Sequence, residues 1–237
     1  SGPADERLNM VFLGDGYIES ELPLFAADVE RISEYMFNEI EPYGSYSNAF
    51  NVWRIDRVSA ESGASHYEST PQVIRDTAYN CYYGCAGIDR LICCNDSEVV
   101  AEVNALIPEA DGIMVLVNDP VYGGSGGFTY ATSYTEGETG EMVASHELGH
   151  SLIGLWDEYD YGYNAGYNGG PNCSAEGDGS AWAHWLDKSE VDAFPTCSYR
   201  DLYRPTANDC MMNSLQGSYC PVCREHTVRV IYDHLPS

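Results

Sequence analysis

Two stretches of the chain are almost wholly apolar. Leu8 to Leu13 (LNMVFL) reads as a buried strand closed by Gly14-Asp15-Gly16, and Gly112 to Asn118 (GIMVLVN) reads as another. Between them, Ser20 to Ile40 repeats apolar residues at helical spacing through Phe25, Val29, Ile32, Tyr35 and Met36. Ser20 can cap that helix and Pro23 falls in its first turn. Phe50 to Val58 alternates as a half-buried strand does, and Ser97 to Leu106 is a second amphipathic helix. Phe128 to Tyr134 (FTYATSY) reads as a further strand, after the glycine-rich Tyr122 to Gly127. Glu141 to Leu155 has the apolar faces of a helix, with Thr139 placed to cap it. Strand, helix, strand, helix, strand is the order of an α/β fold. Glu61 to Arg90 reads as irregular, and from Tyr159 onward periodicity is poor while Gly, Asn, Asp and Cys dominate. The expectation is one domain over 1–237, with an upper sheet-and-helix lobe at about 1–155 and a smaller irregular lower lobe at about 156–237 held by cross-links.

Charge and cysteines narrow the setting. The 237 residues carry 11 Lys+Arg against 37 Asp+Glu, a net charge of −26, which argues against nucleic acid and anionic lipid as partners. No apolar run nears the roughly 20 residues of a membrane span, so no membrane insertion is expected; the best run is Ile113 to Val117. Nine cysteines in loop-like sequence imply disulfides and an oxidising compartment, and the odd count leaves at least one free or paired outside the chain. Cys220-Pro221-Val222-Cys223, with His226 following, could be a second metal site or a redox pair, but a local disulfide is the preferred reading. Lys188 is the only lysine and tyrosines number 19, a composition that suits a secreted, extracellular protein. The polar opening Ser1 to Glu6 lacks an apolar signal core, so either a leader has been removed or the chain is trimmed. A monomer is expected.

The chemistry sits in EMVASHELGHSLIGL (141–155). His146 and His150 are four apart, so on a helix they share a face and can reach one zinc ion at roughly 2.0–2.1 Å each. Glu147, turned by roughly 100° from His146, can bring its carboxylate to a water at the metal. A catalytic zinc usually takes three protein ligands and leaves a position for water. Gly154 can end the helix in a sharp turn and bring back Asp157 as third ligand, with Glu158 as the rival.

HELGHSLIGLWDEY (146–159) resembles the metzincin zinc-peptidase signature, in which a helix breaks at glycine before a third ligand. Together with LNMVFLGDGY (8–17), VLVNDPVYGGSGG (115–127), CMMNS (210–214) and CPVCRE (220–225), it resembles more closely the immunoglobulin A peptidase family of bacterial zinc metallopeptidases. The resemblance implies a metzincin-like α/β fold, with a twisted mixed sheet in the upper lobe. It implies a zinc endopeptidase acting on protein or peptide substrates, with Glu147 as general base and one catalytic zinc. It further implies a methionine turn at Met212 (or Met211) and a substrate-pairing edge strand, for which Phe128, Thr129, Tyr130 and Ala131 are the candidates. Gly154 stands four residues after His150, where the general metzincin pattern has three, and this insertion keeps Glu158 in contention. Many metzincins carry a tyrosine two residues after the methionine; here Ser214 or Asn213 stands there, and Tyr219 or Tyr159 could donate to the oxyanion instead.

Other readings compete. Gly123-Gly124-Ser125-Gly126-Gly127 matches the G-x-S-x-G elbow of serine hydrolases, with Ser125 as nucleophile, but strand-like sequence follows where a helix is required. A non-catalytic secreted binding module with a structural zinc is the other alternative; it would need a fourth protein ligand. The Asp- and Asn-rich loop 157–172 could hold calcium, although no twelve-residue calcium-loop pattern is present. The net charge suggests acidic subsites that favour basic substrates.

Overall fold

The computed structural model describes residues 2–127, 129–166 and 168–235. β1 (Leu8–Asp15) is buried along its whole length. Leu8, Met10 and Phe12 belong to one core cluster, and Val11 and Leu13 to a second on the opposite face. A strand covered on both faces has no polar side, which is why its sequence does not alternate. α1 (Leu22–Glu39) follows and sends Phe25, Val29, Ile32 and Met36 into the first cluster. It starts one residue later than a Ser20 cap would place it, with Glu21 at the N-cap position. Glu19–Glu21 form a 3-10 turn instead, and the Glu21 carboxylate accepts the Ile18 backbone N–H at 3.1 Å.

β2 (Phe50–Ile55) pairs parallel with β1. The stretch expected to be irregular contains two short strands, β3 (Ser65–His66) and β4 (Tyr82–Tyr83), which form a small sheet with β5 (Ile92–Cys93) just beyond it. Disulfides Cys81–Cys94 and Cys85–Cys93 tie the β4 and β5 segments together. α2 (Asp96–Leu106) buries Val99 and Val103 in the second cluster. β6 (Gly112–Val117), β7 (Gly124–Gly126) and β8 (Ala131–Tyr134) complete the main sheet, whose order is β2-β1-β6-β8-β7. All its pairings are parallel except β7 with β8. α3 (Gly140–Ser151) then packs Ala144 and Leu148 into the same cluster as α1. Thr139 precedes it but makes no side-chain cap; its hydroxyl meets Tyr134 Oη at 2.5 Å.

The expected substrate edge strand is not at the edge. Ala131 lies in β8, which pairs with β6 on one side and β7 on the other; Thr129 and Tyr130 precede the strand, and Phe128 lies outside the described residues. The edge on that side is β7, three residues of glycine and serine with no apolar signal to mark them; β2 is the other edge.

The last third is more than a cross-linked lobe. β9 (Phe194–Cys197) and β10 (Tyr199–Arg204) form a hairpin, held to the preceding loop by Cys173–Cys197. α4 (Met211–Ser214) and α5 (Pro221–His234) follow, and α5 was not expected from the sequence. Met211, Met212, Tyr219, Val222, Cys223 and Ile231 are buried in the first cluster with β1, α1 and α3. No helix among the described residues is long and apolar enough to cross a membrane.

β7 lies hard against α3. A Cβ at Gly126 would stand 2.6 Å from His150 Cβ and 2.7 Å from the Glu147 carbonyl, and one at Gly124 would stand 2.6 Å from Val143 Cγ1. The glycines let the sheet edge approach the helix. Gly126→Ala should therefore lower stability by about 1–3 kcal/mol through overpacking, measured by urea denaturation. Gly127→Ala, whose Cβ would meet only the Tyr130 carbonyl at 3.6 Å, should change it little.

Candidate metal centre

α3 carries His146 and His150 one turn apart, and each ring is anchored through the nitrogen that faces away from the other. His146 Nδ1 donates to the Met211 carbonyl at 3.0 Å, and His150 Nδ1 donates to the Leu155 carbonyl at 2.7 Å. In the neutral imidazole a donor hydrogen on Nδ1 leaves Nε2 as a lone pair, the form that binds a metal. The two Nε2 atoms lie 3.2 Å apart.

The chain returns to them as the glycine break suggested. Gly154 has φ +77, and nothing lies within 4 Å of a Cβ placed there, so glycine serves the turn rather than the space. Leu155 N–H reaches back to the Gly149 carbonyl at 2.9 Å. Asp157 Oδ1 then lies 3.0 Å from His146 Nε2 and 3.3 Å from His150 Nε2. For bonds of 2.0–2.1 Å, the edge of a coordination tetrahedron is about 3.3 Å, so all three separations fit one ion. Asp157 Oδ1 is buried and accepts no hydrogen bond of proper geometry. Three lone pairs facing one point without a proton or cation between them repel one another, so the donor set fits a divalent metal. Its other oxygen is held by Tyr161, whose hydroxyl donates to Oδ2 at 2.5 Å. Ser198 Oγ donates to the Asp157 carbonyl at 2.7 Å.

Glu158, the rival third ligand, points elsewhere. It is fully buried beside Cys220 and Cys223, and burial pushes its carboxyl up to about 8. Asn172 clamps this turn: its Nδ2 donates to Glu158 Oε1 at 3.0 Å, and its Oδ1 accepts Trp156 N–H at 2.8 Å.

Glu147 stands beside His146, with a carboxylate oxygen within 4.8 Å of a ring nitrogen of each histidine. Burial raises its pKa, against the pull of the two imidazoles. Burial alone would lower His150, but the Asp157 carboxylate outweighs it and lifts the imidazole to about 9. Asp157 shows the reverse: burial raises it, yet the two imidazoles hold it well below the usual carboxylate range.

Met212 packs under the site. Its Sδ would lie 3.0 Å from a Cβ at Gly149, between the two histidines, while Met211 contributes the carbonyl that orients His146. Tyr219 does not face the cleft. Its hydroxyl is buried and donates to the Ser145 carbonyl at 2.8 Å, so it supports α3 from below rather than an oxyanion. Tyr159 does line the cleft, where Arg90 Nη2 donates to its hydroxyl at 3.3 Å. Arg90, Tyr161 and Tyr163 share that wall. Arg90 was not singled out by the sequence, because nothing local links it to α3.

Among the described residues, the cleft beside the histidines is lined by tyrosines, Leu91, Ile88 and Arg90, with Glu147 and Asp157 as its acids. Among the described residues, the lining shows no acidic subsites of the kind the net charge suggested. Ser125 lies in an antiparallel strand and its hydroxyl donates to the Ile92 carbonyl at 2.6 Å, so no nucleophile elbow forms. In the loop considered for calcium, Asp160 is engaged by Gly162 N–H and Arg200. His226 Nε2 donates to the Ile153 carbonyl at 3.1 Å.

No curated protein matches the chain. The family described as IgA Peptidase M64 matches residues 1–199 of the 237, a span that holds α3, Gly154 and Asp157 and stops short of Met212. The chain belongs to that family of peptidases, whose members are metallopeptidases.

Proposed function

We propose that the chain is a single catalytic domain of a secreted zinc endopeptidase with a metzincin-like arrangement. His146, His150 and Asp157 would hold one zinc ion, with Glu147 as general base. The observation that carries this reading is the convergence of two imidazole lone pairs and one carboxylate oxygen at 3.0, 3.2 and 3.3 Å, with both outer ring nitrogens tied to carbonyls. Zinc supplies Lewis acidity, which makes water nucleophilic near neutral pH and polarises a carbonyl. Three protein ligands leave a coordination position open, which favours catalysis over a closed structural site.

The chain's own residues do the rest. Glu147 takes the proton from the attacking water and delivers it to the leaving amine; its burial beside the cleft raises its basicity for that role. Gly126 and Gly127, at the end of β7, line the cleft next to His150 and Asp157. An extended substrate would pair there, in place of 128–131. The β5 side already covers the start of that strand, since Gly124 N–H donates to the Arg90 carbonyl at 3.1 Å. The tyrosine wall at Tyr159, Tyr161 and Tyr163 suits apolar or aromatic substrate side chains more than basic ones. Three disulfides support an oxidising compartment.

Glu147→Gln should keep its metal and lose about 10²–10⁴-fold or more in peptide turnover, measured by zinc analysis and cleavage of a peptide library. Asp157→Ala should lose zinc at neutral pH. Full activity in the first variant, or unchanged metal in the second, would remove those residues from the mechanism.

A pH dependence follows for chelator-stripped protein. His150 has its pKa raised from 6.5 to about 9, so the pairing with Asp157 stabilises the stripped fold fully below 6.5 and fades as pH rises through about 9. Thermal unfolding across that range should show the loss in the stripped protein, and Asp157→Asn should flatten it. An unchanged profile in that variant would assign the dependence to other groups.

A further inference from the structure

Six of the nine cysteines are paired, while Cys210, Cys220 and Cys223 are free and buried. These three do not form the local disulfide that the Cys-x-x-Cys spacing suggested. They surround Glu158, and one ligand atom from each of the four residues lies within 4.8 Å of the others. Cys210 Sγ and Cys223 Sγ are 3.7 Å apart. Two thiolates on one tetrahedral zinc, with Zn–S bonds of about 2.3 Å, stand about 3.8 Å apart, whereas a covalent S–S bond is about 2.0 Å. Glu158 Oε1 lies 3.3 Å from Cys223 Sγ and 4.0 Å from Cys220 Sγ. Glu158 Oε2 is buried without a hydrogen-bond partner. A buried carboxylate with an orphaned oxygen among three sulfurs is costly unless a cation compensates it.

The local backbone suits metal-bound sulfur. Cys220 caps α5 and Cys223 lies in its first turn, where the helix dipole favours thiolates. Cys210 caps α4, and the Cys220 backbone N–H points at Cys210 Sγ across 3.4 Å. Amide donors to sulfur offset the charge that thiolates bring into the core.

We infer that Glu158, Cys210, Cys220 and Cys223 form a second metal site, which binds a thiophilic divalent cation, zinc by its tetrahedral S₃O set. Four protein ligands close it, and all four are buried, so it is structural and takes no part in hydrolysis. It joins the turn after Asp157 to α4, which bears Met211 and Met212, and to α5. Its evidence is independent of the hydrolytic reading.

The test separates the two sites. Full-length protein purified without added metal or chelator should contain about two zinc ions per chain, with all three thiols resistant to alkylation until a chelator and denaturant are added. His146→Ala/His150→Ala should retain one zinc, with X-ray absorption showing three sulfur neighbours. Cobalt exchanged into that variant should give a thiolate-to-metal charge-transfer band. Cys223→Ser should lose this zinc and the band; if that variant does not fold, the wild-type and double-histidine measurements decide. Zinc absent from the double-histidine variant, zinc there with only nitrogen and oxygen neighbours, or a disulfide among the three cysteines would overturn the proposal. Failure of the catalytic reading alone would instead leave the sulfur-bound zinc in place and remove the other ion.

Discussion

Three electron pairs aimed at one point are the constraint around which the chain is arranged. His146 Nε2, His150 Nε2 and Asp157 Oδ1 cannot stay in mutual contact in a buried setting without a positive charge between them. The surrounding structure prevents them from relaxing apart. The Met211 and Leu155 carbonyls fix the ring orientations, Tyr161 and Ser198 fix the aspartate, and Asn172 holds the turn that delivers it. Such outer contacts decide whether a site is preorganised or merely present. The raised His150 and depressed Asp157 are the same fact seen electrostatically.

Close packing sets the position of α3 on which this convergence rests. The helix is pressed between the glycine edge of β7 and the Met212–Tyr219 layer, which occupies the space beside Gly149. A side chain at Gly126 or Gly149 would push the helix and carry the histidines with it. Gly123, Gly124 and Gly126, which in sequence mimic a serine elbow with their neighbours, are thus explained by approach distance, and Ser125 by its bond to Ile92.

What could be read from the sequence was what depends on local spacing. The strand of β1, the apolar repeat of α1, the His146–His150 turn and the break at Gly154 all follow from neighbours within a few residues. What failed depended on partners far along the chain. Tyr219 was a candidate donor until its hydroxyl was found on Ser145, 74 residues away. The edge strand was misplaced because strand order is not written in the apolar pattern, and β7 has no apolar residue at all. α5 was missed because Val222, Cys223, Thr227 and Ile231 fill its buried face. Cysteine and threonine there blur the repeat that leucine or isoleucine would have made plain.

Adjacent carboxylates connect the two clusters. Asp157 faces the histidines while Glu158, the next residue, faces the cysteines, and the Glu158 N–H donates to the Met212 carbonyl at 2.8 Å. The Asp157–Glu158 peptide is therefore a short link between the two clusters, one proposed to keep an open position and the other proposed to be closed. With both proposed metals bound, a closed site beside an open one would hold Asp157 as third ligand without occupying the cleft. It also gives a physical reason for a second acid directly after Asp157. The extra residue before Gly154 could have left the register of the third ligand ambiguous, but with Glu158 engaged by the cysteines only Asp157 remains to turn toward the imidazoles.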